Sequence, residues 1–213
     1  MRAIRPISRA AGGFTLIEAV VALAAMAVLL AVGIPNLSGW LQARKAAAAA
    51  AFYKEGFQLA RAQAVAHNSA SRLVLSDNSV SGQQDWQVDI CFPTLSTPCN
   101  ADSGSWSTAA AAAEGDPDQT HGFRSVARSS DSLPAASAMM LALSPSGAQS
   151  VYFTPLGWVD GSVASRVTRI DLTPAPGRSG TFKPLAVVLT LAGTASICDP
   201  GVAAHDSRGC PPP

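Results

Sequence analysis

Residues 19–43 run for 25 positions without a charged side chain, and the residue just before them is an acid, Glu18. No other stretch limits the fold as strongly. An apolar run of this length is expected to form a helix able to cross a bilayer core of about 30 Å. The segment ahead of it, "MRAIRPISRAAGG", carries Arg2, Arg5 and Arg9 and no acid. Such a basic flank is expected to stay cytoplasmic and to leave the rest of the chain outside. A secretory signal has its small-residue cleavage site after the apolar run. Here the small pair, Gly12-Gly13, comes first. A cut after it would discard the cations and keep the apolar rod.

The stretch "GFTLIEAVVALAAMAVLLAVGIP" resembles the signature shared by type IV pilins and type II secretion pseudopilins. The resemblance implies cleavage between Gly13 and Phe14 by a prepilin peptidase, and N-methylation of Phe14. It assigns Glu18 to the family's assembly glutamate and Pro35 to a proline that interrupts the anchor helix. The charge at Glu18 then acquires a physical reason. Cleavage creates an ammonium at Phe14 beside the apolar phase, where an unpaired carboxylate costs roughly 2.5 kcal/mol or more. Glu18 of one subunit can neutralise Phe14 of a neighbour, so assembly resolves a charge that each chain carries alone. Pro35 removes a backbone donor and, with Gly33, weakens the helix. The resemblance implies a stretch that extends when subunits pack, while the residues alone fit a simple kink equally well.

Helical patterning continues to about Asn68. Phe52, Tyr53, Phe57, Leu59 and Ala60 share one arc, and Lys54, Gln58 and Arg61 gather opposite. "FQLARAQAVAHNSASRLVLS", with its Ala60-Arg61 pair, is similar to the helix-to-strand passage of the GspH/FimT group of minor pseudopilins. "VYFTPLGWVD" and "VVLTLAGTASICDP" resemble that group's Phe-Pro-Gly turn and last hairpin. From Ser71 onward the pattern is β-like. Strands are expected at residues 72–76, 86–92, 139–143, 150–154, 166–172, 185–191 and 194–198, with Ala192-Gly193 turning the last pair into a hairpin. The expected fold class is α+β and pilin-like, a long N-terminal helix packed on antiparallel sheets. Its organisation is a leader (1–13), a transmembrane and assembly helix (14–41), an amphipathic stem (42–70) and a β-rich periplasmic domain (71–213). Residues 96–120 read as a mobile insertion loop and 198–213 as an irregular tail.

Cys91, Cys99, Cys198 and Cys210 all follow the apolar run, on the side expected to be periplasmic, where disulfides persist. Proximity favours Cys91–Cys99 and Cys198–Cys210, although four cysteines permit three pairings. A zinc site would want a close Cys-x-x-Cys pair, which is absent. His67, His121 and His205 are scattered, and no Gly-x-Ser-x-Gly elbow or phosphate-cradling glycine loop occurs. No catalytic residue, metal or cofactor is therefore expected. Glu114, Asp116 and Asp118 in "EGDPDQTHG" offer oxygen ligands suited to calcium, but without an EF-hand pattern they read as a solvated acidic loop.

The implied function is that of a minor pilin or pseudopilin, anchored in the inner membrane by a single pass and helping to start or cap a filament with other pilins. The rival reading is DNA uptake. Some proteins of the FimT type bind DNA through Gly-Arg-x-Arg near the C-terminus. The matching stretch here, Gly193-Thr194-Ala195-Ser196, lacks both arginines, and phosphate contacts need such cations. Arg166, Arg169, Arg178 and Lys183 could substitute, with Asp171 among them. Loss of the first thirteen residues would leave 12 basic against 14 acidic side chains, which is not the balance of a polybasic nucleic-acid binder.

Overall fold

Leu73 reaches a helix through the gap left by a glycine, and that contact sets the architecture of the body. The computed structural model describes residues 13, 15–118, 121–203 and 205–211, with the side chains of residues 32–36 outside the description. Two units emerge, Met1–Trp40 and Leu41–Pro213. Helix α1 (Leu16–Ala66) begins in the first and ends in the second.

In the first unit, Thr15 caps α1. Its Oγ1 accepts the Glu18 N–H at 3.3 Å and its carbonyl accepts the Ala19 N–H at 3.1 Å. Thr15-Leu16-Ile17-Glu18 has the Thr-x-x-Glu spacing of a capping box, and the first-turn acid suits the positive end of the helix dipole. Among the described residues no helix is long and apolar enough to cross a membrane. The expected single-pass inner-membrane location is corrected on that finding, and so is the transmembrane half of the expected fold.

In the second unit, Ala46, Ala49, Ala50, Tyr53, Phe57, Ala60 and Ala64 form one buried stripe along α1, spaced three and four residues apart. Phe52 and Leu59, expected on the same arc, lie half-buried at its margins. A Cβ on Gly56 would stand 2.7 Å from Leu73 Cδ1 and 3.1 Å from Trp86, so only glycine admits this approach without a shift. Polar ties fix the contact. Trp86 Nε1 donates to the Phe52 carbonyl at 3.0 Å, and the Tyr53 hydroxyl bonds both the carbonyl and the N–H of Gln84. The helix ends in a Schellman motif. Asn68 takes a left-handed φ of 47°, Ser69 N–H donates to the Ala64 carbonyl and Asn68 N–H to that of Val65.

The strands are β1 (Ala70–Asp77), β2 (Gln84–Cys91), β3 (Val126–Arg128), β4 (Met139–Ser144), β5 (Ser150–Phe153), β6 (Arg169–Pro174), β7 (Leu185–Leu189) and β8 (Ala195–Cys198). They form two four-stranded antiparallel sheets, ordered β3-β2-β1-β5 and β4-β6-β7-β8. Leu73, Trp86, Val88, Val151 and Phe153 from one sheet and Ile170, Leu172, Val187 and Leu189 from the other share a core with the helix stripe. The body is thus mostly sheet, which corrects the expected fold class governed by a long N-terminal helix. Two strands start or stop at least two residues inside their expected limits. β6 begins at Arg169 rather than 166, and β7 ends at Leu189 because Thr190–Thr194 is already the turn, with Gly193 at φ 77°. β3 was not expected. It is three residues long, mostly exposed, and pairs only with β2.

Candidate functional site

Three segments that the sequence singles out meet at one place in the second unit. Arg61 on α1 donates from Nε to the Gly157 carbonyl at 3.1 Å. Gly157, at φ 76°, belongs to the turn after β5, where Thr154 N–H bonds the Trp158 carbonyl. Gly193, at φ 77°, lies so close that a Cβ there would collide with the Gly157 carbonyl oxygen and stand 3.1 Å from Arg61 Cδ. Val159 N–H donates to the Leu191 carbonyl at 3.0 Å and joins the two turns. Left-handed backbone and lack of space both demand glycine at 157 and 193. A groove of about 560 Å³ opens beside this knot, lined by Gln58, Arg61 and Val65 of α1 and by Gly193, Thr194 and Ala195 of the last hairpin. Leu156, Trp158 and Leu191 are more than half exposed on the two turns. Leu191 closes an expected strand and gives no hint of facing solvent, whereas Leu156 and Trp158 fall in the expected Phe-Pro-Gly turn.

In the first unit, Leu16, Ile17, Val20, Val21, Leu23 and Met26 are all more than half exposed, as are the apolar residues after them to Leu30. Glu18 is an exposed acid among them. Gly13 is exposed, with open space around it. Phe14 lies outside the described residues, and the expected methylation with it; at Pro35, where a helix interruption was expected, α1 runs on as helix without a break.

Both favoured disulfides are present. Cys91–Cys99 closes at a Cα separation of 6.0 Å and Cys198–Cys210 at 4.9 Å. The second packs the tail on Ala186 and Val188, on the face of its sheet away from the helix. Residues 96–120, expected as a mobile loop, are irregular but anchored. Trp106 lies beneath the Arg72 guanidinium at 4.3 Å and edge-on to Tyr152 at 5.7 Å. Arg72 Nε in turn donates to Asp89 Oδ2 at 2.8 Å, and Gln87 supplies a second bond to this buried carboxylate. Ser107 Oγ accepts the Ile90 N–H at 3.0 Å, which fastens the loop to β2. Asp116, one of the three acids suited to calcium, is itself buried and accepts from the N–H groups of Asp118 and Phe123. Its role is to shape the turn. Among the described residues no cluster of three or more histidine, cysteine or acidic side chains could hold a metal. His67 ends α1 with its ring 5.4 Å from that of Phe123.

The cations proposed for DNA are not gathered. Arg169 is engaged by both carboxylate oxygens of Asp171 at 2.6–2.9 Å, and Arg166 donates from Nη1 to the Val163 carbonyl. Arg178 and Lys183 are exposed beyond the far end of β6, roughly 16 Å from Arg169 by strand rise alone. Two engaged and two distant cations do not make the continuous basic track that phosphates require.

Comparison with protein-family models, curated proteins and solved structures gives no match for this chain.

Proposed function

We propose that this chain is a structural subunit of a pilin-like filament, a minor pilin or pseudopilin that helps to start or cap a type IV pilus or a type II secretion pseudopilus. The observation that carries the reading is the row of uncovered apolar side chains from Leu16 to Leu30, with Glu18 as its acid. Exposed apolar surface of this extent calls for a cover. Nine large side chains in that row are at least half exposed. Burying the remainder of each gains about 1 kcal/mol, or about 9 kcal/mol in all, comparable with the cost of association. Cleavage after Gly13 would place an ammonium on Phe14, four residues from Glu18. An acid so placed favours packing in which each carboxylate meets a neighbour's terminus, because a pair half-withdrawn from water is costly to leave open. The partners on this reading are the prepilin peptidase and other pilins or pseudopilins.

The test compares wild type with Glu18→Gln and Glu18→Leu in filaments sheared from cells that express the whole assembly. Both variants should be processed, and both should be depleted from the filaments at least tenfold. Incorporation of either variant at the wild-type level would end the reading.

A further inference from the structure

The second sheet ends on β8, and part of that edge is open. Neighbouring bonds fix which backbone groups face outward. Thr190 N–H donates to the Thr194 carbonyl at 3.1 Å, whereas Leu189 N–H turns the other way, to the Thr168 carbonyl at 2.9 Å. Hydrogen-bonded and non-hydrogen-bonded pairs alternate along an antiparallel ladder. Leu189↔Ala195 and Val187↔Ile197 are therefore non-bonded pairs, and Ala195 and Ile197 point their N–H and C=O groups away from β7. Asp199 has the same parity, and its outward N–H is already used. It donates to the Arg208 carbonyl at 2.7 Å, where the tail forms a parallel bridge through Gly209. Tethered by Cys198–Cys210, the tail covers the end of the edge and goes no further. Among the described residues no backbone bond reaches the outward side of Ala195 or Ile197.

The groove borders this open edge, and α1 forms its other wall. Ile197 is 39% exposed, Val65 53% and Leu191 62%, whereas Ala195 is 8% exposed and lines the groove from within the core, so the edge is most accessible at Ile197. Arg61 is the charged residue in the lining. Its Nε is held by Gly157, and its two terminal nitrogens make no hydrogen bond among the described residues.

The geometry points to a docking site for an extended segment of a partner protein, which joins β8 as a fifth strand, lays alternate apolar side chains into the groove and sets a carboxylate against Arg61. Main-chain pairing supplies the affinity of such strand addition, and side-chain pockets supply the selection. The carboxylate follows from charge. A partner cation at this position would face Arg61 across an apolar wall, whereas a carboxylate accepts the fork of its terminal N–H groups. The site lies wholly within Leu41–Pro213 and does not depend on the filament reading.

The test titrates the full-length chain with short peptides that alternate valine and threonine and carry one central glutamate or one central lysine, followed through backbone amide shifts. The glutamate peptide should give saturable shifts centred on Ala195 and Ile197, and it should bind about tenfold tighter than the lysine peptide. Ile197→Pro removes an outward N–H, an edge position where proline is tolerated. It should weaken binding at least tenfold and leave the unfolding midpoint near wild type. Val65→Glu covers the case in which that variant misfolds, and it should reverse the preference towards the lysine peptide. Three results would each overturn the site: no saturable shift with either peptide, shifts centred away from β8, or unchanged binding by Ile197→Pro.

Discussion

Replacing Gly193 by alanine tests whether the joint between α1 and the two turns is real. Three costs add there. At φ 77° an alanine must adopt the left-handed region, at about 1 kcal/mol. Its Cβ would also meet the Gly157 carbonyl oxygen head-on and stand 3.1 Å from Arg61 Cδ and Nε. Relief requires one turn to move, which strains the packing by about 1–3 kcal/mol. It also breaks the Arg61–Gly157 bond, worth about 1 kcal/mol at an exposed charged donor. The expected loss is therefore about 3–5 kcal/mol. Two further glycines separate the contributions. Gly147 has φ 85° but nothing within 4 Å, so Gly147→Ala carries only the backbone cost. Gly161 has neither a left-handed φ nor a neighbour, so Gly161→Ala should be neutral or slightly stabilising. Urea unfolding of the four chains at one pH, with a common slope, gives the order directly. If Gly193→Ala cost no more than Gly147→Ala, the close approach of the two turns would be wrong.

Tyr53→Phe leaves the part-buried Gln84 N–H and carbonyl without their partner and should cost about 1–2 kcal/mol by the same unfolding measurement. Burial alone would raise the Asp85 carboxyl, but bonds from the Ser130 N–H, Asn78, the Ser130 hydroxyl and Ser129 together hold it below its ordinary value. A depressed carboxyl contributes stability above its unfolded pKa and loses it as pH falls through the folded one. Unfolding midpoints should therefore fall on the acid side, below about pH 4, and Asp85→Asn should flatten that fall. Removing the second disulfide with Cys198→Ala and Cys210→Ala opens a loop with a sequence separation of 12 and should cost about 3 kcal/mol on the chain-entropy argument. Hydrogen exchange should then show the Asp199 amide losing its protection first.

Strand positions were legible where alternation is local. "SRLVLS" places every second side chain inward, and "DWQVDIC" does so from Trp86 to Val88 before both faces become buried; β1 and β2 form there. The stem stripe was legible for the same reason, since Tyr53, Phe57 and Ala60 repeat at helical spacing. β3 was not, because three mostly exposed residues carry no period. Trp106 was passed over as a lone aromatic in a loop because its partners, Arg72 and Tyr152, lie more than thirty positions away on either side. The capping spacing of Thr15 and Glu18 lies within four consecutive letters, beside the electrostatic role that the resemblance gives Glu18. Both roles fit one residue, for a first-turn acid can serve the helix end and still meet a neighbouring cation. The membrane expectation failed for a different reason. It rested on the 25 uncharged positions of residues 19–43, and among the described residues no helix is long and apolar enough to cross a membrane. The groove beside Arg61 was invisible as such. Its walls come from Gln58–Ala66 and Gly193–Ala195, and only the folded hairpin brings them together.

The filament reading stands or falls first on how the N-terminus is finished. Intact-mass measurement of the chain recovered from its native assembly decides this, combined with sequencing of the terminal peptide. The expected chain begins at Phe14, bears one added methyl group there and keeps both disulfides. A chain that retains Arg2, Arg5 and Arg9, or one cut beyond the apolar residues, would contradict it.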